Sequence, residues 1–203
     1  MNLAVLLLAA GQSTRMGARH KLLLPWGGGT VVGQALRTAL RAPASTVVVV
    51  TGNRANEVQQ ACGQHERVRF VCNPRWQEGM FTSVLAGVGA LPPGVDAFFV
   101  ALGDMPLVPA DVYAELARLY EANPGSILRP VFGERRGHPV LVPAALVAAS
   151  PPPAGDEGLR GLLRLHADRL IEVEVPRPGV VIDLDTPEEY AKYKAGIHPE
   201  EAG

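Results

Sequence analysis

Apolar residues recur along this chain in short, nearly unbroken runs: Ala4–Ala10, Thr46–Thr51, Arg69–Cys72 and Ala97–Leu102. Each has the length of a strand, and a run with almost no polar interruption is the pattern of a strand covered on both faces. Between the runs lie segments whose apolar positions follow a helical period, Val31–Arg41, Ala55–Gly63, Phe81–Leu91 and Ala110–Glu121. Strands and helices alternating in this way predict repeated βα units, hence an α/β fold with a mostly parallel central sheet and right-handed crossovers. Ligands of such sheets bind outside the carboxyl ends of the strands. The residues that follow each run are therefore where chemistry is expected.

After Ser126 the alternation changes. Ser126–Val131 and His138–Val142 read as two strands of a hairpin that turns through Gly133–Gly137. A Pro-rich break, Ser150–Gly155, precedes a short helix, Glu157–His166. Two more strands, Leu170–Val175 and Val180–Leu184, lead to a last helix, Pro187–Ala195. The expectation is one domain over residues 1–197, with the hairpin and the Pro-rich segment as a lid-like elaboration and a frayed tail over 198–203.

Composition narrows the class. With 203 residues, 47% of them hydrophobic, the chain is long enough to bury roughly 70% of the surface it exposes when unfolded. A net charge of −1 argues against a broad nucleic-acid or membrane footprint, so any basic patch is local. The two cysteines, Cys62 and Cys72, form neither a CxxC pair nor a cluster with histidines. Reduced thiols in a cytoplasmic protein are expected, rather than a disulfide framework or a zinc site. The amino-terminal apolar run is short and has no basic segment before it, unlike a signal peptide. No run approaches the roughly 18 apolar residues of a membrane span.

The first strand runs straight into a small polar loop with Gly11 and Gly17, the hydroxyls of Ser13 and Thr14, and the bases Arg15, Arg19 and Lys21. Its glycines stand too far apart for the G-x-G-x-x-G dinucleotide fingerprint, and it lacks the Gly-Lys-Ser/Thr of a Walker loop. Its parts are still those that hold a phosphate: a glycine that allows close approach, backbone N–H donors and fixed positive charge. A solvated connection remains the alternative. At the end of a later strand, Gly103-Asp104-Met105-Pro106 places a carboxylate where it can hold Mg²⁺ or cap a helix. In Asp183-Leu184-Asp185-Thr186-Pro187-Glu188-Glu189, the Thr, Pro and second Glu fit a helix start with a capping box. That leaves Asp183 and Asp185, two neighbouring carboxylates that need a cation nearby. Thr51-Gly52, Asn73 and Ser83 are polar groups at strand or helix ends, suited to a base, a phosphate or a cap. His138, in Gly137-His138-Pro139, is either structural or functional.

In order and spacing, LAAGQSTRMG with Lys21, VTGNR, NPRWQEGMFTSV, GDMP, GHPVLV and DLDTPEEY resemble the molybdenum cofactor cytidylyltransferase family over nearly the whole chain. The resemblance implies a three-layer, Rossmann-like nucleotidyltransferase fold with a C-terminal β-hairpin elaboration. It implies that Leu8, Ala9, Ala10, Gly11 and Ser13 wrap a nucleotide, joined by Thr51, Gly52, Asn73, Ser83 and Gly103. Lys21 and Arg15 would be the catalytic cations, and Asp104 and Asp185 would hold Mg²⁺. His138 and Asp183 would face a pterin acceptor. Three residues, Ala18-Arg19-His20, separate Gly17 from Lys21, so Arg19 stands beside Lys21 as a second candidate for its charge.

The implied reaction is attack by a molybdopterin-type acceptor on CTP, with pyrophosphate leaving and a molybdoenzyme receiving the product. Members using CTP tend to read Ala-Ala-Gly where GTP-using relatives read Ala-Gly-Gly, and Ala9-Ala10-Gly11 implies cytidine. The rivals are a guanylyltransferase acting on the same cofactor, nucleotidyl transfer to a sugar or alcohol phosphate, and a nucleotide-binding accessory protein without turnover.

Overall fold

The computed structural model describes residues 1–13, 16, 20–150 and 158–196. Its centre is a sheet of eight strands. In chain order the first are β1 (Leu3–Ala9), the two-residue pair β2 (Pro25–Trp26) and β3 (Gly29–Thr30), which forms a separate small ribbon, β4 (Thr46–Thr51), β5 (Val68–Cys72) and β6 (Ala97–Leu102). They are followed by β7 (Ile127–Phe132), β8 (Arg135–Arg136), β9 (Val140–Pro143) and β10 (Leu170–Glu174). The spatial order is β10-β7-β9-β6-β1-β4-β5, with β8 paired to β7. Strands β1, β4, β5 and β6 run parallel, as does β10 beside β7; β9 is antiparallel to both β6 and β7. The sheet is thus mostly parallel, as the alternation predicts.

Alternate side chains of β1 explain why its sequence has no polar positions. Leu3, Val5, Leu7 and Ala9 pack with the buried sides of α1 (Val31–Leu40), α2 (Ala55–Cys62) and α4 (Ala110–Ala122). Ala4, Leu6 and Leu8 pack with α3 (Met80–Gly89), α5 (Ala144–Ala149) and α6 (Gly158–Leu165) on the other face. This is a three-layer α/β/α sandwich in which each wholly buried Leu or Phe contributes about 1.5–3 kcal/mol relative to exposure. Edge strand β5 is covered less completely and shows Arg69 and Cys72 to solvent. Among the described residues, no helix is long and apolar enough to cross a membrane.

Two expectations change, and one helix is added. Strand β9 lies inside the main sheet between β6 and β7, so the hairpin belongs to the scaffold and is not a lid; the Pro-rich residues 151–157 lie outside the described residues. The short helix α5 carries no signal that the apolar pattern separates from the strand before it. Val180–Leu184 is not a strand. Pro178–Val181 makes a 3-10 turn, and the residues after it run on without ladder pairing.

Val180 and Leu184 are wholly shielded from solvent although the segment that carries them is irregular. Isolated hydrogen bonds hold that segment: the His138 N–H donates to the Val180 carbonyl (2.8 Å) and the Leu184 N–H to the Asp104 carbonyl (3.0 Å). Gly179 lets it approach, because a Cβ there would lie 2.0 Å from the Leu107 carbonyl oxygen.

Gly179→Ala is expected to lower stability by about 1–3 kcal/mol, as overpacking against fixed backbone does, read by urea denaturation. Gly89 ends α3 in open space, where a Cβ would meet nothing within 4 Å. Gly89→Ala should stabilise by about 0.5 kcal/mol through helix propensity. Equal effects from the two substitutions would contradict this packing account.

Candidate active site

A cleft of about 360 Å³ opens at the carboxyl ends of β1 and β6. Leu8, Ala9, Ala10, Gly11 and Ser13 form one side as the chain leaves β1. The root of this loop is pinned from both flanks: the Gly103 N–H donates to the Leu8 carbonyl (2.9 Å) and the Asn53 N–H to the Ala10 carbonyl (3.2 Å). Ser13 has φ 58°, a left-handed backbone that residues with a side chain rarely adopt. Its carbonyl accepts from the Met16 N–H (3.0 Å) and its Oγ from the Lys21 N–H (3.1 Å). The serine therefore sets the position of Lys21 across the intervening residues. No described atom lies within 4 Å of a Cβ placed on Gly11, so the space beside this loop is open.

At the other end of the cleft three parts of the chain meet. The Lys21 ammonium bonds a carboxylate oxygen of Asp104 and, at 2.6 Å, Oδ1 of Asp185. Burial alone would depress this lysine, but the two carboxylates outweigh it and hold its pKa above the usual value. Asp104 follows β6 directly and caps no helix, since α4 starts at Ala110 behind Pro109.

Asp185 is placed by the start of α7 (Pro187–Lys194). Thr186 caps that helix, and Glu189 closes the capping box while its Oε2 also accepts from the Asp185 N–H (3.0 Å). Helix α7 is seated on the β2–β3 ribbon by Tyr190, whose hydroxyl donates to the Pro25 carbonyl (2.6 Å) and whose ring meets Trp26 with centroids 6.1 Å apart. A small apolar cluster of Met16, Leu24, Trp26, Val31 and Leu184 lies beneath.

Asp183 also lines the cleft. Burial raises its pKa, and the neighbouring charges of Asp185, Asp104 and Glu189 raise it further. The acid end therefore carries an excess of negative field. Among the described residues, no group of three or more His, Cys, Asp or Glu side chains is arranged to hold a metal ion; Asp104 and Asp185 instead both bond the Lys21 ammonium.

The other candidates, Ser83 excepted, fall outside the lining of the cleft. The Thr51 hydroxyl donates within the sheet to the Val71 carbonyl (3.3 Å). Gly52 makes room for Trp76, whose Cβ and Cγ would lie 2.7 Å from a Cβ at that position. Asn73 is buried and works as a brace: its Nδ2 donates to Oγ1 of Thr82 (2.8 Å) and Oγ of Ser83 (3.0 Å), and its Oδ1 accepts from the Arg75 N–H (2.9 Å). Ser83 itself reaches the cleft. Gly103 allows β1 and the β6 tip to touch, as a Cβ would sit 3.1 Å from the Leu8 carbonyl oxygen.

His138 does not line the cleft. Its Nδ1 lies 3.2 Å from the Val100 carbonyl, and it lies in the interior near Met105 and Tyr113 with no room for a water between them. Burial lowers its pKa. Arg15, with Thr14 and Arg19, lies outside the described residues. Gln12, Leu22, Trp76, Met80 and Leu102 complete the lining. Trp76 opens a short 3-10 turn, Trp76–Glu78, in the NPRWQEGM stretch, and a lone aromatic there does not announce its direction.

Comparison with known proteins identifies the family of this fold. The family described as "MobA-like NTP transferase domain" matches residues 5–171. The chain belongs to that family and is a nucleotidyltransferase. It is 31% identical over 191 residues to the molybdenum cofactor cytidylyltransferase of Escherichia coli, covering 93% of this chain and 94% of that one. It is 34% identical to the nicotine blue oxidoreductase of Paenarthrobacter nicotinovorans, over 90% and 92% of the two chains. A nucleotidyl transferase structure from Methanothermobacter thermautotroptrophicus superposes with a TM-score of 0.81 at 28% identity, covering 100% of this chain and 99% of that one.

The charge excess at Asp183 gives a signed prediction. A carboxyl whose folded pKa lies above its unfolded one destabilises the fold once ionised. Asp183→Asn, compared with the parent in chelator, should therefore raise the melting temperature at neutral pH by roughly 2 °C. The gain should disappear as pH falls below the unfolded aspartate value of about 3.9. A gain that persists at low pH would show another cause.

Proposed function

We propose that this chain transfers the cytidylyl group of CTP to the terminal phosphate of a molybdopterin-type acceptor. The observation that carries the reading is the convergence of Lys21, Asp104 and Asp185 at one end of a cleft whose other side is the loop Leu8–Ser13. A triphosphate needs donors, a mobile cation and hard oxygen ligands for a counter-ion in one place. An acceptor phosphate oxygen attacks the α-phosphorus, the bond from that phosphorus to the β-bridging oxygen breaks, and pyrophosphate leaves with the electron pair.

In this reading Gly11 and Ser13 place backbone donors on the phosphates, with Arg15 beside them. Lys21 neutralises the charge that grows on the α-phosphoryl oxygens. Ser83 meets the nucleoside side, with Asn73 bracing it. Asp104 and Asp185 suit Mg²⁺, which commonly takes one or two carboxylates and completes its shell with phosphate and water. The negative excess felt by Asp183 fits a site made for a divalent cation, which when bound would supply positive charge to the phosphates.

Cytidine is supported by Ala9-Ala10-Gly11. Ala10 is buried and lines the cleft, with its methyl against Gly52, and in this reading the tripeptide goes with the smaller pyrimidine. The name of the E. coli relative supports the acceptor. The oxidoreductase name of the other relative draws no support from the loop, whose glycine spacing is not that of a dinucleotide fingerprint.

The test is pyrophosphate release from purified protein with Mg²⁺ and molybdenum-loaded molybdopterin, offered CTP, GTP, ATP or UTP in turn. Release with CTP is expected. Release with GTP alone would refute the cytidine assignment, and none with any nucleotide would refute the acceptor or turnover itself. Asp104→Ala should lose about 10³-fold or more in kcat/KM, and Lys21→Ala about 10²–10³-fold, the range typical of a lost electrostatic stabiliser. Circular dichroism should be unchanged in both variants.

A further inference from the structure

Lys21 is placed where the chemistry would not want it to stay. A cation that neutralises an α-phosphate belongs beside the loop Gly11–Ser13, yet its ammonium lies at the acid end, bonded to Asp104 and Asp185 together. The backbone of Lys21 is fixed from the loop side, since its N–H is held by Ser13 Oγ at 3.1 Å. Lys21, Ser13, Asp104 and Asp185 all line the same cleft, and a lysine stem is long and flexible, so its head can swing while its backbone stays anchored.

We propose that Lys21 is the resident counter-ion of the metal site, and that its ammonium and a divalent cation exclude one another between Asp104 and Asp185. The inference rests on the reading of these two carboxylates as the metal pair. An oxygen that accepts an ammonium hydrogen bond must give it up to coordinate a metal, and two cations at one carboxylate pair repel strongly where water is partly displaced. Metal alone therefore binds weakly, because it must displace a well-placed ion pair. The triphosphate draws Lys21 to its α-phosphate and frees the carboxylates, so nucleotide and metal enter together and each raises the affinity of the other. Without nucleotide, Lys21 offsets part of the charge of the two acids.

The test measures Mn²⁺ binding directly, by loss of the free-ion electron paramagnetic resonance signal, with no turnover involved. Wild type without nucleotide should bind weakly, and Lys21→Met should bind at least about tenfold more tightly. Lys21→Arg, which keeps the charge, should stay near wild type. Adding α,β-methylene CTP should tighten Mn²⁺ in wild type by about tenfold or more and in Lys21→Met by much less.

Melting curves guard against misfolding of Lys21→Met: Mn²⁺ should raise its melting temperature more than that of wild type. A second measurement needs no variant. Acetic anhydride labelling of Lys21, mapped by mass spectrometry, should rise when Mn²⁺ is added alone and fall when the nucleotide analogue joins it.

Equal Mn²⁺ affinity in wild type and Lys21→Met, with binding still lost in Asp104→Asn, would overturn the exclusion and leave the metal reading intact. So would Lys21 labelling that Mn²⁺ does not change. Mn²⁺ binding untouched by Asp104→Asn and Asp185→Asn would overturn the metal reading and the exclusion together.

Discussion

One ammonium group joins parts of the chain that sequence holds far apart. Lys21 comes from the loop after the first strand, Asp104 from the tip of β6 and Asp185 from the last segment before α7; all three meet because Lys21 bonds both acids. Bringing two carboxylates into a half-buried cleft is unfavourable unless a cation accompanies them. The rest of the site follows from that constraint. Ser13 adopts a left-handed backbone and holds the Lys21 N–H. Glu189 holds the Asp185 N–H while closing a helix cap. Tyr190 ties α7 to the ribbon beside the loop.

The scaffold is built to present this end of the sheet. Strands β1 and β6 are buried on both faces, so their carboxyl tips are held rigidly, and the residues just beyond them take their direction from the sheet. The same rigidity gives roles to residues that touch no cleft. Gly103 lets the two tips approach, and Gly52 admits Trp76. Asn73 fixes Thr82 and Ser83 at the start of α3. Such residues position the site without entering it.

The sheet and most of its helices are legible in the sequence because doubly buried strands and amphipathic helices leave strong, distinct periods. Val180–Leu184 reads as a strand, and is not one, because a short buried apolar run looks the same in sequence whether or not the backbone pairs. Gly179, squeezed against Leu107, is what turns that segment aside. Lys21, Asp104 and Asp185 are visible as chemistry in the motifs, but their shared bond is not, since it depends on how α7 returns to the ribbon. Thr51, Asn73 and Gly103 carry polar or permissive signals that fit a ligand as well as a brace, and only their partners distinguish the two. Trp76 poses the opposite problem: its direction is set by Gly52, which lies on another strand's end.

In the nucleotide-free protein Lys21 and Asp104 share a bond, so their effects on stability cannot simply add. The most direct measurement is a double-mutant cycle on the free energy of urea unfolding, without nucleotide or metal, with Lys21→Ala, Asp104→Ala and the pair. The account predicts a coupling of about 0.5–3 kcal/mol, the double variant being less destabilised than the sum of the single ones. Single effects that add without coupling would mean that the lysine and the carboxylate stand independently and would contradict the charge cluster as the organising feature of the site.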